Sequence, residues 1–152
     1  MVPTNSWYIA LQRVPRESLK TVIEEVVTRY EVAPLELPEA GLLVLQMEDE
    51  ISGEAFLVGE LTAARATVRL TDRSGGQFDG ASIIMRDDAE LAEWIAICDA
   101  LLTHQPGDSG IIAELVEEGV QLLEKESQIR EAILSSTSVD FSLLEETEAP
   151  EE

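Results

Sequence analysis

The sequence predicts an α+β fold, with helices at both ends of the chain and an antiparallel sheet between them. From Ala64 to Leu70, apolar and polar residues alternate strictly, as in a strand with one buried face. Before about residue 30 and after about residue 87, apolar residues recur every three or four positions, as on one face of a helix. The length of 152 residues is typical of one domain. We therefore expect N-terminal helices, a central β-meander and C-terminal helices.

Two helices are predicted at the N-terminal end. Ser6 can cap a short helix that places Trp7 and Leu11 on one side. Pro15 suits the first turn of a second helix, which would end near Tyr30. Five aliphatic residues at helical spacing are expected to be buried in this second helix: Leu19, Val22, Ile23, Val26 and Val27.

Three strands are predicted in the middle of the chain. Two prolines interrupt the segment 32–39, which therefore reads as an edge strand or a connector. The apolar run 42–47 predicts a strand buried on both faces, and the acidic turn at 48–53 then reverses the chain. A second turn at 73–76 leads into a third strand over 77–85. Together with the alternating segment, these elements form an antiparallel meander.

Two further helices are predicted at the C-terminal end. Asp87 and Glu90 have the spacing of a capping box at the start of the first. Asp108 or Ser109 can cap the second, whose apolar stripe continues almost to Leu134. A helix of this length either packs on the sheet or extends beyond its own domain to contact another subunit. Buried positions expected in the first helix are Leu91, Trp94, Ile95, Cys98, Leu101 and Leu102.

The charge balance excludes several classes of partner. The chain has 10 Lys and Arg against 31 Asp and Glu, a net charge of -21, so a nucleic acid would be repelled. No apolar run approaches the ~18–20 residues that span a bilayer. The first residues lack the pattern of a signal peptide, so we expect a cytoplasmic protein. An acidic tail over 140–152 is expected to be disordered, which leaves a domain over 1–139.

Catalytic and metal-binding patterns are not found in the sequence. Cys98 and His104 are each the single residue of their type, and they do not form a zinc pattern. Cys98 falls on an apolar helix stripe and is expected in the core, whereas His104 falls at a helix end. The glycines near residues 75–80 do not form a phosphate-binding loop. We therefore assign no catalytic residue, no metal ligand and no cofactor to this chain alone.

Four of the ten basic residues are arginines within 22 positions: Arg65, Arg69, Arg73 and Arg86. Arg65 and Arg69 share the polar face of the alternating strand, roughly 13 Å apart. Guanidinium groups bind carboxylates and phosphates through two hydrogen bonds. Three roles stay open: a solvated face with local ion pairs, a protein interface, or a small-anion site. The local partners expected for a solvated face are Glu60, Asp72, Asp79 and Asp87.

The same region resembles a known family. The residues concerned are Leu57 to Glu60, Arg65-Ala66, Val68 to Asp72, Arg86-Asp87, Ala92-Glu93 and Asp99 to Leu102. In this order they resemble the PhnG family of the phosphonate carbon–phosphorus lyase system. Thr137-Ser-Val-Asp-Phe141 is similar to the Thr-Arg-Val-Asp-Phe signature of that family, and Trp7 lies where the family has an N-terminal helix. The resemblance spans about Ser6 to Phe141.

This resemblance implies a subunit of a cytoplasmic, oligomeric complex with PhnI-, PhnH- and PhnJ-like subunits, which acts together with a PhnL-like protein. The implied reaction transfers a phosphonate to the ribose C1 of ATP and releases adenine, so ATP and the phosphonate are substrates of the complex. A radical S-adenosylmethionine subunit later cleaves the carbon–phosphorus bond. The candidates for partner or anion binding are Arg65, Arg69, Arg86 and Asp87.

Two other functions remain open from the residues themselves. The chain could be an acidic interaction module with no part in a reaction, as its charge and missing catalytic groups allow. Alternatively, Arg65 and Arg69 could bind the triphosphate of a nucleotide directly. The net charge and the missing phosphate-binding loop disfavour the second alternative.

Overall fold

A computed structural model describes residues 7–104, 107 and 109–137 of the chain. It confirms the α+β arrangement: along the chain, two helices precede a three-stranded sheet and two helices follow it. Ser6, Asp108 and the predicted acidic tail lie outside the described residues. The elements are α1 (Trp7–Leu11), α2 (Arg16–Arg29), β1 (Glu31–Glu48), β2 (Ala55–Thr71), β3 (Gln77–Ile84), α3 (Ala89–His104) and α4 (Ser109–Ser136).

The sheet is an antiparallel meander in the order β1-β2-β3, as predicted. β1 pairs with β2 along its whole length, but β3 pairs only with residues 64–71 of β2. The sheet therefore has a three-stranded part and a two-stranded part. We call the two-stranded part, residues 41–48 of β1 and 55–63 of β2 with their connecting turn, the ribbon.

One face of the three-stranded part forms the core with α3. The alternation in β2 places four residues on this face, none more than 3% exposed: Ala64, Ala66, Val68 and Leu70. At Gly80 of β3 an added Cβ would overlap the carbonyl oxygen of Ala96 and lie 2.6 Å from the nitrogen of Ala100. The backbone of α3 therefore lies directly against β3.

The remaining helices pack around α3 and each other. α2 buries Leu19, Ile23 and Val26 as predicted, and Val22 is partly buried. Val27 is 52% exposed, so its predicted burial is wrong, because only one narrow stripe of α2 meets the core. α1 crosses α4 closely, since a Cβ on Gly119 would overlap the carbonyl group of Ala10.

The predicted burial of the run 42–47 on both faces is wrong. Its five apolar residues, at 42, 43, 44, 45 and 47, are between 42% and 62% exposed. They belong to the ribbon, which extends past the Ile84 end of β3, so the described part of the chain does not cover them. The hairpin itself and the edge position of β1 are confirmed, and register shifts accompany Pro34 and Pro38.

The cap of α3 is Asp88 and not Asp87. Asp88 Oδ1 accepts a hydrogen bond from the backbone N–H of Leu91 at 3.0 Å, whereas Asp87 is exposed. Arg16 of α2 donates to Asp88 Oδ2 at 2.6 Å and also pairs with Glu90. Glu90 therefore forms an ion pair with α2 and does not close a capping box with Asp87. The hydrogen bond from Arg16 lowers the pKa of Asp88.

The helix α4 is buried only in its first half. Its buried residues are Ile112, Leu115, Val116 and Gly119. From residue 124 onward every described side chain of α4 is exposed, including Ile129, Ile133 and Leu134. The helix thus extends beyond the hydrophobic core, although Arg13 of the α1–α2 connection pairs with Glu126 at 3.0 Å.

Candidate docking surface

The candidate site is the face of the sheet opposite the core, which we call the outer face. Because side chains alternate along a strand, burial of Ala66 and Val68 places Arg65, Thr67 and Arg69 on this outer face. α3 packs on the other side of the sheet, and no described helix covers the arginines.

Arg69 is paired within the sheet. Its Nε and Nη2 atoms donate to Asp79 Oδ1 and Oδ2, each at 2.6 Å, in a two-pronged ion pair. Asp79 stands directly opposite Arg69 in the register of β2 and β3. The hydrogen bond from Arg69 lowers the pKa of Asp79, and the same bond raises the pKa of Arg69.

Arg65 is paired from the other side, by β1. Its Nε and Nη2 atoms donate to Glu39 Oε2 at 3.1 and 3.0 Å, and Nη2 lies 3.8 Å from Glu36 Oε2. These two glutamates were missed because they flank Pro38, in a segment whose pairing the sequence left open. The alternation in β2 predicted which face carries Arg65 and Arg69, but it contained no information about their partners on β1.

The predicted local partners are confirmed in one case, Asp79. Asp72 instead accepts hydrogen bonds from Ser74 and from the backbone of its own turn, and these bonds lower its pKa. Among the described contacts, Glu60 and Asp87 form no ion pair with an arginine. Of the three roles considered for the arginines, the geometry of the isolated chain matches a solvated face with local ion pairs.

The four predicted site residues do not form one cluster. Arg86 and Asp87 are exposed in the segment after β3, and no described contact joins them to Arg65 or Arg69. Between the two arginines lies Thr67, whose Oγ1 atom is buried without a hydrogen-bond partner in the described structure. A role of the four residues in partner or anion binding stays a prediction.

Three shallow cavities open on or beside the sheet. One of about 220 Å³ lies where Arg65 meets the base of the ribbon, and its walls include Glu39, Gly41, Leu43, Ala63 and Ile83. A second of about 150 Å³ adjoins Thr67, and a third of about 340 Å³ lies between α1 and β3. Their linings are mainly apolar, which suits contact with another protein better than acid–base chemistry.

Groups that could carry catalysis are sparse in the described part of the chain. Cys98 is fully buried as predicted, and burial raises its pKa to about 12, so the thiol is held in its unreactive form. The ring of His104 contacts Phe78, and its Nε2 lies 3.3 Å from the carbonyl oxygen of Asp79. Within 7–104, 107 and 109–137, no group of three or more possible ligands is placed to hold a metal ion.

The ribbon extends the outer face with apolar side chains. Eight of its large apolar residues are between 42% and 70% exposed: Leu42, Leu43, Val44, Leu45, Met47, Phe56, Leu57 and Val58. Ile51, in the turn, is 98% exposed. Soluble monomers rarely show contiguous apolar patches larger than roughly a few hundred Å². This exposure indicates a surface that is covered when the protein functions.

The comparison with protein families decides the assignment. The model of the family described as "Phosphonate metabolism protein PhnG" matches residues 3–145. The chain belongs to the PhnG family. Among curated proteins, it is 31% identical over 131 residues to "Alpha-D-ribose 1-methylphosphonate 5-triphosphate synthase subunit PhnG" of Rhizobium meliloti (strain 1021). The match covers 86% of this chain and 81% of that relative. The family match over residues 3–145 includes the whole outer face and ribbon.

The PhnG match also confirms the resemblance first seen in the central arginine strand and its flanking motifs. Across the described residues of this PhnG chain, no helix is both long and apolar enough to cross a membrane. The arrangement found here is a folded core with one uncovered sheet face and an apolar ribbon.

Proposed function

We propose that this chain is a non-autonomous subunit of the carbon–phosphorus lyase core complex. In this role it supports transfer of a phosphonate to the ribose C1 of ATP, with release of adenine, in the cytoplasm. Its partners would be PhnI-, PhnH- and PhnJ-like subunits, with a PhnL-like protein acting alongside them. Support comes from the family and from the name of the Rhizobium relative, which describes a synthase subunit.

The observation that carries this proposal is the exposed apolar ribbon. Burying apolar surface contributes roughly 25 cal/mol per Å², so exposed ribbon side chains gain free energy only when a partner covers them. If the ribbon stayed exposed to water, the protein would also be prone to aggregation. An assembly in which other subunits cover the ribbon removes both problems.

A second candidate function is an acidic interaction module that takes no part in the reaction. The ion pairs at Arg65 and Arg69 favour it, because both guanidinium groups are already occupied by carboxylates of the same chain. Under this alternative the chain would assemble with the complex without affecting its chemistry.

Reconstitution distinguishes the two functions. The complex is assembled with and without this chain, and adenine release is measured with ATP and methylphosphonate together. If the chain is a working subunit, adenine release is lost when it is omitted and returns when it is added back. Normal adenine release in its absence would support the passive module.

A further inference from the structure

The ribbon is apolar on both of its faces. Directly paired residues of two strands share a face, so Leu43 with Leu61 and Met47 with Phe56 belong to the face that continues the outer face. Leu42 and Val44 alternate with these residues along β1, so they lie on the opposite face. Eight residues in a strand extend roughly 26 Å. A flat partner surface could cover only one face, so the occupant must contact the ribbon from two sides.

The base of the ribbon provides a recess for such an occupant. Gly41, which has no side chain, stands opposite Ala63, whose side chain is a single methyl group, and both line the cavity of about 220 Å³ beside Leu43, Ile83 and Arg65. Ile83 is itself 67% exposed at the margin of this recess. The apolar surface of the ribbon is therefore continuous with that of β3.

The charge of this region determines what kind of surface can bind it. Segment 31–64 contains eight acidic residues and no Lys or Arg. Glu36 and Glu39 are paired with Arg65, but Glu48, Glu50, Glu54 and Glu60 are exposed and form no ion pair in the described structure. Three of these carboxylates lie at or beside the turn of the ribbon, and Glu60 stands opposite Val44 within it. An occupant with apolar groups against the ribbon and basic side chains beside these carboxylates would complement both the apolar surface and the charge.

The same charge argues against other occupants. A second copy would bring its own acidic ribbon and a net charge of -21 against this one. An anionic membrane surface would be repelled for the same reason. The ribbon thus needs a protein partner with a cationic border.

We propose that the ribbon inserts into an apolar groove of a neighbouring subunit whose rim carries lysine and arginine side chains. The inference deepens the proposed function, on which it rests, by naming the part of the chain that docks and the chemistry of its partner. It also gives the apolar run 42–47 the burial that its sequence pattern requires.

Apolar contact is tested by binding of full-length variants to a complex of the other subunits purified without this chain. We compare Leu45→Ser/Met47→Ser on one face with Leu42→Ser/Val44→Ser on the other. Each pair should weaken binding by at least about tenfold, as loss of buried apolar anchors does. Ile9→Ser/Val27→Ser on α1 and α2 is the matched control, since these residues are 39% and 52% exposed on the helical side of the molecule, and it should bind within about twofold of wild type.

Charge is tested separately. The fourfold variant Glu48→Gln/Glu50→Gln/Glu54→Gln/Glu60→Gln should associate more slowly and show a weaker salt dependence. The control changes four exposed glutamates of α4 to Gln, which alters the net charge by the same amount: Glu114, Glu117, Glu118 and Glu124. Circular dichroism verifies that every variant retains its fold.

The outcomes separate the inference from the function on which it rests. Ribbon variants that bind like wild type would overturn the inference, as would self-association of the isolated wild-type chain that the ribbon variants abolish. An unchanged salt dependence in the fourfold variant would overturn the cationic rim. Tight, ribbon-dependent binding with no effect of the chain on adenine release would overturn the proposed function while the docking inference stands.

Discussion

A single carboxylate, Asp88, fixes the start of α3. It caps the helix and receives Arg16, whose guanidinium also lies 4.8 Å from the centre of the Trp94 ring. Loss of an N-cap typically costs about 0.5–2 kcal/mol. We expect Asp88→Ala to lower the free energy of unfolding by that amount in urea denaturation. Asp87→Ala, the matched control at an exposed site, should stay within about 0.5 kcal/mol of wild type.

The pH dependence of this effect has a defined sign. Because Arg16 lowers the pKa of Asp88 in the folded state, the unfolded state binds the proton more readily. The contribution of Asp88 is therefore present above its ordinary pKa, about 3.9, and is lost as the pH falls through the lower, folded value. The difference between wild type and Asp88→Ala should be constant near neutrality and shrink below about pH 4. A difference that grows with acid would contradict this assignment.

Gly80 is required by the close approach of α3 to β3. A methyl group there would overlap the backbone of Ala96 and Ala100, which cannot move without shifting the helix. Gly80→Ala should destabilise the fold by about 1–3 kcal/mol, as overpacking does. Gly59→Ala is the control within β2, since nothing lies within 4 Å of its added Cβ. Thermal unfolding of the two variants should differ clearly, and equal midpoints would be evidence against tight packing at Gly80.

The site could be predicted from sequence only where local pattern determines it. Strict alternation was sufficient to place Arg65 and Arg69 on a polar face. Their partners Glu39 and Asp79 depend on cross-strand register, which for β1 shifts beside Pro34 and Pro38. The prediction of Asp87 as the cap of α3 was wrong by one residue for a similar reason. The actual cap, Asp88, is also bound by Arg16 of α2, a contact that local sequence does not show.

The helix α4 has two halves with different roles. Ile112 is fully buried, whereas Ile133 is 59% exposed beyond the core. Ile112→Ala should lower the free energy of unfolding by about 2–5 kcal/mol, and Ile133→Ala should change it by less than about 0.5 kcal/mol. Chemical denaturation of the isolated chain measures both. A large cost at Ile133 would mean that the far half of α4 packs on its own chain.

The elements themselves were largely predictable, because long periodic segments define helices and strands well. The run 42–47 shows where this approach fails. A continuous apolar run indicates burial, but it does not say whether the burying surface belongs to the same chain. Here β3 and α3 end before they reach the ribbon, and the run remains exposed. An incorrect prediction of core residues therefore becomes evidence for a partner.

Across the whole molecule, the outer face can be tested as a docking surface through its arginines. Arg65→Gln/Arg69→Gln removes two positive charges and leaves Glu39 and Asp79 without their partners. If the two guanidinium groups also bind acidic side chains of a partner, assembly with the other subunits should weaken in size-exclusion chromatography, whereas docking through the acidic ribbon alone predicts unchanged or stronger assembly. The control Arg13→Gln/Arg29→Gln removes the same charge from the helical side of the molecule. Equal assembly of both variants would return Arg65 and Arg69 to a purely local role.

The charge of the whole molecule opposes direct nucleotide binding by the isolated chain. A surface ion pair is worth only about 0–1 kcal/mol, so displacing Asp79 from Arg69 would itself cost little. The displaced carboxylate would nevertheless stay beside the triphosphate, in a chain whose net charge is -21. We therefore expect calorimetry to show a Kd for ATP weaker than about 1 mM, which corresponds to about -4.1 kcal/mol. Micromolar binding to wild type that disappears in Arg65→Gln/Arg69→Gln would instead make the arginine strand a triphosphate site.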